Sequence, residues 1–333
     1  MRIGIDLGFE QVKACWGDGE NLKIPSVIGE PVGEEINDGG ISKYSAVDDL
    51  FIIYQGKRYY VGNKAIRETN NARLTIKADK TNDVSDMVKY LTVLGFILQP
   101  TEEAVVVTGL PVDEYNDLKD TVRGNMSGSF DYIYRGVKRM NPTIKKVVVI
   151  PQGAGAYYHH ILDSDGGINL KNNLINRKVT VLDFGSRTTN VVTMLKGRYI
   201  SKESFTVFKG VINVHNNMRK IIYQKYGINF RPADMDQITR QGYITISGQS
   251  ESVQDIIDQS VAIVVDDILS EIRMHITDHR LIDVFLMTGG GASLMSNFVE
   301  NEYPDHTITL EDAEYNNANG YLKYSLFLEK AGQ

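Results

Sequence analysis

A short apolar strand that ends in Asp-x-Gly and turns directly into a second strand occurs twice in this chain. No other feature limits its fold as strongly. Arg2 to Lys13 reads RIGIDLGFEQVK, and Val179 to Val192 reads VTVLDFGSRTTNVV. In the second copy Val179, Val181 and the run into Asp183 are β-prone, Gly185 interrupts among small hydroxyl residues, and Val191 and Val192 resume the pattern. Asp6 and Asp183 are equivalent positions 177 residues apart. Each half then continues with a third strand, an excursion, a helix and a buried strand ending in Thr-Gly. Those endings, Thr108-Gly109 and Thr288-Gly289, are 180 residues apart. Two elements recurring at nearly one offset predict a duplicated α/β architecture with a mixed sheet in each half.

Taken alone, either copy has two readings. Gly, Asp and Ser populate hairpin turns for purely local reasons. The same residues also suit a phosphate-bearing ligand with a metal. Turn amides and the hydroxyls of Ser186, Thr188 and Thr189 can donate to phosphate oxygens, and Asp183 can hold Mg²⁺ through waters. The duplication favours the second reading. Ligands of such sheets collect where strand ends and loops converge, which predicts a phosphate tail between the two Asp-Gly turns.

At 333 residues the chain is long for one domain. The expected division is a first domain over 1–165, with an inserted subdomain at about 30–75 and a closing C-terminal helix over 316–333. A second domain is expected over 166–315, with a small subdomain at about 228–250. A net charge of −6 argues against a broad nucleic-acid or anionic-membrane surface. The single cysteine, Cys15, excludes an intrachain disulfide and fits a reducing compartment. No apolar run approaches a membrane span, and Met1-Arg2 lead straight into a strand, so a cytoplasmic protein is expected.

Helical spacing marks Ser85 to Gln99, Val112 to Met126, Val211 to Tyr226 and the long stretch from Val253 to Ile272. Phe51 to Gly62 reads as a hairpin, Ser201 to Val207 as a strand, and Phe230 to Ser250 as a polar excursion. His275 and His279 stand four apart on an expected helix, a metal-compatible spacing without the glutamate of a zinc-protease helix.

Five segments in order resemble the signature of the actin, Hsp70 and sugar-kinase superfamily. IDLGFEQVK is similar to its first phosphate motif, VVVIPQGAGAYY to the first connecting segment, and VTVLDFGSRTTN to the second phosphate motif. FLMTGGGASLM is similar to the adenosine motif and AEYNNANGYLKY to the second connecting segment. The GKRYYVGNKA hairpin, VVTGLPVDEYN and IPQGAGAY further resemble the ParM-like plasmid-segregation actins. The resemblance implies a two-domain, actin-like (duplicated ribonuclease H-like) fold with a nucleotide cleft between the domains.

It also implies roles. Asp6 and Asp183 would flank the phosphates and hold Mg²⁺ through waters, while the Gly8 and Gly185 turns, with Phe9, Ser186, Arg187 and Thr188, would contact them. Lys13 would reach the phosphates, its alternative being a solvated strand lysine. Gln152 would orient the attacking water without abstracting a proton, since an amide is no base. Gly289, Gly290 and Gly291 would let backbone close on ribose and base. Glu10 departs from the small hydroxyls of many relatives and is expected to point away. Arg187 is also unusual, and pairing with phosphate or facing solvent both remain open.

The function so implied is an ATPase, or GTPase, that assembles head to tail into filaments and disassembles after hydrolysis. It would move plasmid DNA through a DNA-binding adaptor on a centromere, without touching nucleic acid or membrane itself. The alternatives are a non-polymerising kinase of the superfamily, for which no acceptor-site carboxylate set is evident, and a scaffold that polymerises without efficient hydrolysis.

Overall fold

The computed structural model describes residues 1–31, 45–70, 73–74, 84–136, 138–171 and 173–332. Within the expected insertion at 30–75, residues 32–44, 71–72 and 75 therefore lie outside the described residues. The chain divides into two units, Met1–Asn172 with Tyr315–Gln333, and Asn173–Glu314. Among the described residues no helix is long and apolar enough to cross a membrane.

The first unit opens with β1 (Arg2–Leu7), β2 (Gln11–Trp16) and β3 (Glu20–Pro25), an antiparallel meander. After β4 (Val27–Gly29), β5 (Leu50–Tyr54), β6 (Lys57–Val61), α1 (Asn63–Glu68) and β7 (Arg73–Leu74), α2 (Val84–Ile97) leads back to β8 (Glu103–Leu110). Then follow α3 (Val112–Met126), β9 (Gly128–Ser129), β10 (Tyr132–Tyr134), β11 (Lys138–Met140), β12 (Thr143–Pro151) and α4 (Ala154–Ile161). The main sheet has the order β3-β2-β1-β8-β12-β9, with β1, β8 and β12 parallel. The run VVVI in β12 pairs with β8 and is apolar because Val147, Val149 and Ile150 are buried and Val148 half-buried. A second sheet, β11-β10-β5-β6-β4-β7, takes β4 from before the expected insertion and β10 and β11 from well after it. One core of Ile3, Ile5, Leu91, Leu94, Val106 and Val147 joins the main sheet to α2.

The second unit repeats the plan. Its strands are β13 (Lys178–Phe184), β14 (Thr189–Leu195), β15 (Arg198–Tyr199) and β16 (Phe205–Val207), then α5 (Val211–Tyr226) and α6 (Met235–Gln241). The hairpin β17 (Tyr243–Ile246) and β18 (Gln249–Ser252) precedes α7 (Gln254–His275), β19 (Val284–Thr288), α8 (Ala292–Glu302) and β20 (Thr307–Thr309). The sheet order is β15-β14-β13-β19-β20, with β16 also paired to β14. As in the first unit, an Asp-x-Gly hairpin supplies two antiparallel strands, and the parallel partner ends in Thr-Gly.

Three expectations change here. Ser201 to Val207 is not one strand, because Ser201–Glu203 forms a 3₁₀ turn and only Phe205–Val207 is extended. The excursion near 228–250 contains a helix and a hairpin, held to the core by buried Met235, Ile238 and Ile244. Finally, α7 stops at His275 and His279 starts a separate 3₁₀ turn, so the two histidines do not share a helical face. His275 instead stacks on Phe205 with ring centres 4.3 Å apart.

The last helix, α9 (Asn316–Lys330), belongs to the first unit and crosses α4 and β1 at glycines. A Cβ on Gly4 would run into the Ala318 carbonyl, and one on Gly320 into the Gly155 carbonyl. Small residues here let backbone meet backbone. Cys15 lies beneath the helix with Ala318 and Leu322. Burial, with a smaller contribution from the Asp6 charge, pushes its thiol up to about 12.

Gly320→Ala should therefore cost about 3 kcal/mol, the upper end for overpacking, measured by urea unfolding. A thiol with a pKa near 12 is about 10⁻⁴ ionised at pH 8, and the thiolate is the reactive form. A disulfide reagent such as DTNB should therefore label Cys15 only as fast as the protein unfolds, and at once in denaturant.

Candidate functional site

The two Asp-x-Gly turns share one local geometry. In the first unit a Cβ on Gly8 would lie 2.7 Å from the Gln11 carbonyl oxygen. In the second, a Cβ on Gly185 would lie 2.8 Å from the Thr188 carbonyl oxygen. Each glycine is thus required by a close approach of the chain three residues on, not by a left-handed backbone. The Gly185 amide donates to the Thr188 carbonyl at 2.9 Å, which pins that turn. Tight closure leaves the strand-end carboxylates just before the turn, where Asp6 is 6% exposed and Asp183 4%.

In the first unit the ladder places Asp6 directly opposite Lys13. Directly opposite side chains lie on one face, about 5 Å apart at Cβ. Gln152, at the end of β12, joins them from two strands away. Its side-chain amide donates to Asp6 Oδ1 at 3.3 Å, and its backbone N–H donates to the Leu110 carbonyl at 2.6 Å. Asp6, Lys13 and Gln152 therefore form one cluster on the backbone: the Asp6 carboxylate and the Gln152 amide meet at the carboxyl ends of β1 and β12, and Lys13 stands across the ladder from Asp6. Phe9 is half-buried in the turn, while Glu10 is exposed.

In the second unit Asp183 pairs across the ladder with Asn190, whose Oδ1 accepts from the Thr206 hydroxyl at 3.0 Å. The position that carries a cation in the first unit thus carries a buried amide in the second. Ser186, Arg187 and Thr188 are half-buried in the turn. The turn is held from behind by α5, where the Ile212 amide donates to the Ser186 carbonyl at 2.9 Å and the Val211 amide to the Gly185 carbonyl at 3.2 Å. Thr189 is buried and donates to the Lys209 carbonyl at 2.9 Å, so its hydroxyl is engaged in fixing the loop.

The glycine triplet after β19 sits against the same turn. Gly289 has φ of +90°, and a Cβ there would fall 2.5 Å from Asp183 Oδ1. The Gly291 amide donates to the Phe184 carbonyl at 2.9 Å, and a Cβ on Gly291 would meet Val211 at 2.8 Å. Among the described residues nothing comes within 4 Å of a Cβ built on Gly290. Two of the three glycines are accordingly required by packing within the unit, and the middle one borders open space.

Among the described residues no group of three or more His, Cys, Asp or Glu side chains forms a metal cage. Asp6 and Asp183 each offer a strand-end carboxylate, the kind of oxygen donor of which Mg²⁺ takes one or two beside waters and substrate phosphates. His159, within α4, is held neutral, as burial and then the Lys323 charge lower it to about 4.

One participant escapes a reading of spacing. Asn317, on α9, accepts hydrogen bonds from the amides of Gly153 and Ala156, immediately after Gln152. It lies 165 residues from Gln152 in the chain, and only the tertiary crossing brings them together.

The two halves match family models in order. The N-terminal domain of actin-like proteins matches residues 4–155, and the C-terminal domain of archaeal MreB-like actin homologues matches residues 181–301. A search of curated protein sequences found no match. Among solved structures, the apo ParM protein of pSK41 is 21% identical, with a TM-score of 0.77 over 100% of this chain and 99% of that one. A 15-stranded ParM filament from Clostridium botulinum gives 21% identity and a TM-score of 0.76 over 97% and 98%. An archaeal actin homologue in complex with ADP gives 17% and 0.76 over 98% and 99%. Likeness at these identities is one of fold, and with both halves matched in sequence by actin-type domains, the chain belongs to the actin-like superfamily.

Proposed function

We propose that this protein binds ATP, or GTP, with Mg²⁺, polymerises in the nucleotide-bound state and is released from the filament after hydrolysis. The observation that carries the reading is the Asp6–Lys13–Gln152 cluster, in which the side-chain amide of Gln152 meets the Asp6 carboxylate at 3.3 Å. A buried carboxylate, a cation and a neutral amide at strand ends serve a phosphate ester in water better than they serve an apolar ligand.

In this reading Asp6 and Asp183 would hold Mg²⁺ through its waters, and the ion would supply neutralisation of phosphate charge. Lys13 supplies a positive charge to the phosphate oxygens. The turns at Gly8-Phe9 and at Gly185, Ser186, Arg187 and Thr188 present amides and hydroxyls to them. Gly290 borders the space taken by ribose and base, while Gly289 and Gly291 close against Asp183, Phe184 and Val211. Gln152 holds a water in line with the γ-phosphorus. The water oxygen bonds to phosphorus as the bond to the bridging oxygen breaks, which yields nucleoside diphosphate and inorganic phosphate.

Self-association is supported by the ParM filament among the similar structures, and nucleotide binding by the archaeal homologue described with ADP. The finer reading is plasmid partition, in which filaments act on DNA through an adaptor bound at a centromere. The net charge of −6 agrees with such indirect contact.

Light scattering with ATP, GTP and their slowly hydrolysed analogues tests assembly. Filaments with at least one triphosphate are expected. The absence of assembly under every nucleotide, together with phosphate transfer to a sugar, would overturn the reading in favour of a kinase. Gln152→Ala should leave assembly intact and slow phosphate release about 100-fold, the loss typical of a misplaced reacting group. Asp183→Ala should weaken Mg-nucleotide binding and hydrolysis together, read by fluorescent-nucleotide titration alongside phosphate release.

A further inference from the structure

We infer that Asn317 is a positioning residue for Gln152, acting as the cap that the helix after Gln152 cannot supply for itself. Only the kinetic part of this inference rests on the proposed hydrolysis. The N-cap of α4 is Gly153, with φ of +95°, which has no side chain to offer the orphan amides of the first turn. Asn317 Oδ1 takes that place from another element, accepting from the Gly153 N–H at 3.2 Å and the Ala156 N–H at 3.2 Å. Asn317 is only 6% exposed, so water cannot readily replace it. Two buried amides would lose their acceptor if it were removed.

The peptide that follows Gln152 is thereby fixed from one side. Its own N–H is fixed from the other, by the Leu110 carbonyl at 2.6 Å. One turn further along α9, the Tyr321 hydroxyl fills the space left by the absent Cβ of Gly109, a position 3.3 Å from Gln152 Cα. Helix α9 thus sets both the backbone height and the lateral position of Gln152, although none of its own residues belongs to the Asp6–Lys13–Gln152 cluster. An amide that works by orienting a water depends on this placement, because a shift of about 1 Å costs on the order of 100-fold in rate.

The test compares wild type, Asn317→Ala and Asn317→Asp, the last of which keeps the accepting oxygens. Native-state hydrogen exchange without nucleotide should be about tenfold faster or more at the Gly153 and Ala156 amides in Asn317→Ala. In Asn317→Asp it should stay near wild type. Phosphate release at varied nucleotide should show kcat lowered about tenfold in Asn317→Ala with KM within twofold, and recovery in Asn317→Asp. Unchanged amide protection overturns the cap. A rise in KM matching the fall in kcat, or no fall in kcat, overturns the positioning role. If wild type hydrolyses no nucleotide, the proposed function fails while the exchange measurement still decides the cap. Should Asn317→Ala not fold, Asn317→Ser, whose hydroxyl falls short of both amides, carries the same two readings.

Discussion

The approach of a carbonyl to a glycine three residues earlier governs both units. Gln11 closes on Gly8 and Thr188 on Gly185 at distances that no Cβ tolerates. That closure turns a strand back on itself without a loop, so β1 meets β2 and β13 meets β14 in register up to the carboxylate. The residues across the hairpin from the two carboxylates follow from it: Lys13 opposite Asp6 and Asn190 opposite Asp183. A longer turn would detach the carboxylate from these neighbours even with every strand retained.

The duplication was legible in the sequence because its marks are local. Asp-x-Gly and Thr-Gly occupy strand ends, where a side chain or its absence is dictated by the next few residues. Helices α3, α5 and α7 were legible for the same kind of reason, since burial on one face imposes a short period, whereas α2 is buried on nearly every side along Val88 to Gly95. What spacing could not show is what depends on crossing elements. The 3₁₀ turn at Ser201–Glu203 is set by the Ser204 hydroxyl, which donates to the Ile200 carbonyl while accepting from the Thr193 amide. The partner of Gly153 and Ala156 comes from the far end of the chain. The glycine triplet also divides by context, since Gly289 and Gly291 answer to Asp183, Phe184 and Val211, whereas Gly290 answers to none of them.

The units use one plan with different fillings. Opposite its carboxylate the first places a lysine, the second a buried asparagine tied to Thr206. The same tight turn thus gives its carboxylate a charged neighbour in one unit and a neutral, hydrogen-bonded one in the other.

Helix α9 has a consequence for how the chain is made. The second unit is contiguous in sequence, so every contact in its core is available once its last strand has left the ribosome. The first unit has most of its residues far earlier, yet the groove over Gly4, Cys15 and Gly155 stays uncovered until the final helix is synthesised. The half of the molecule translated first is therefore the half completed last. Until then its sheet carries an uncovered groove, the kind of transiently exposed surface that makes incomplete folds prone to aggregation.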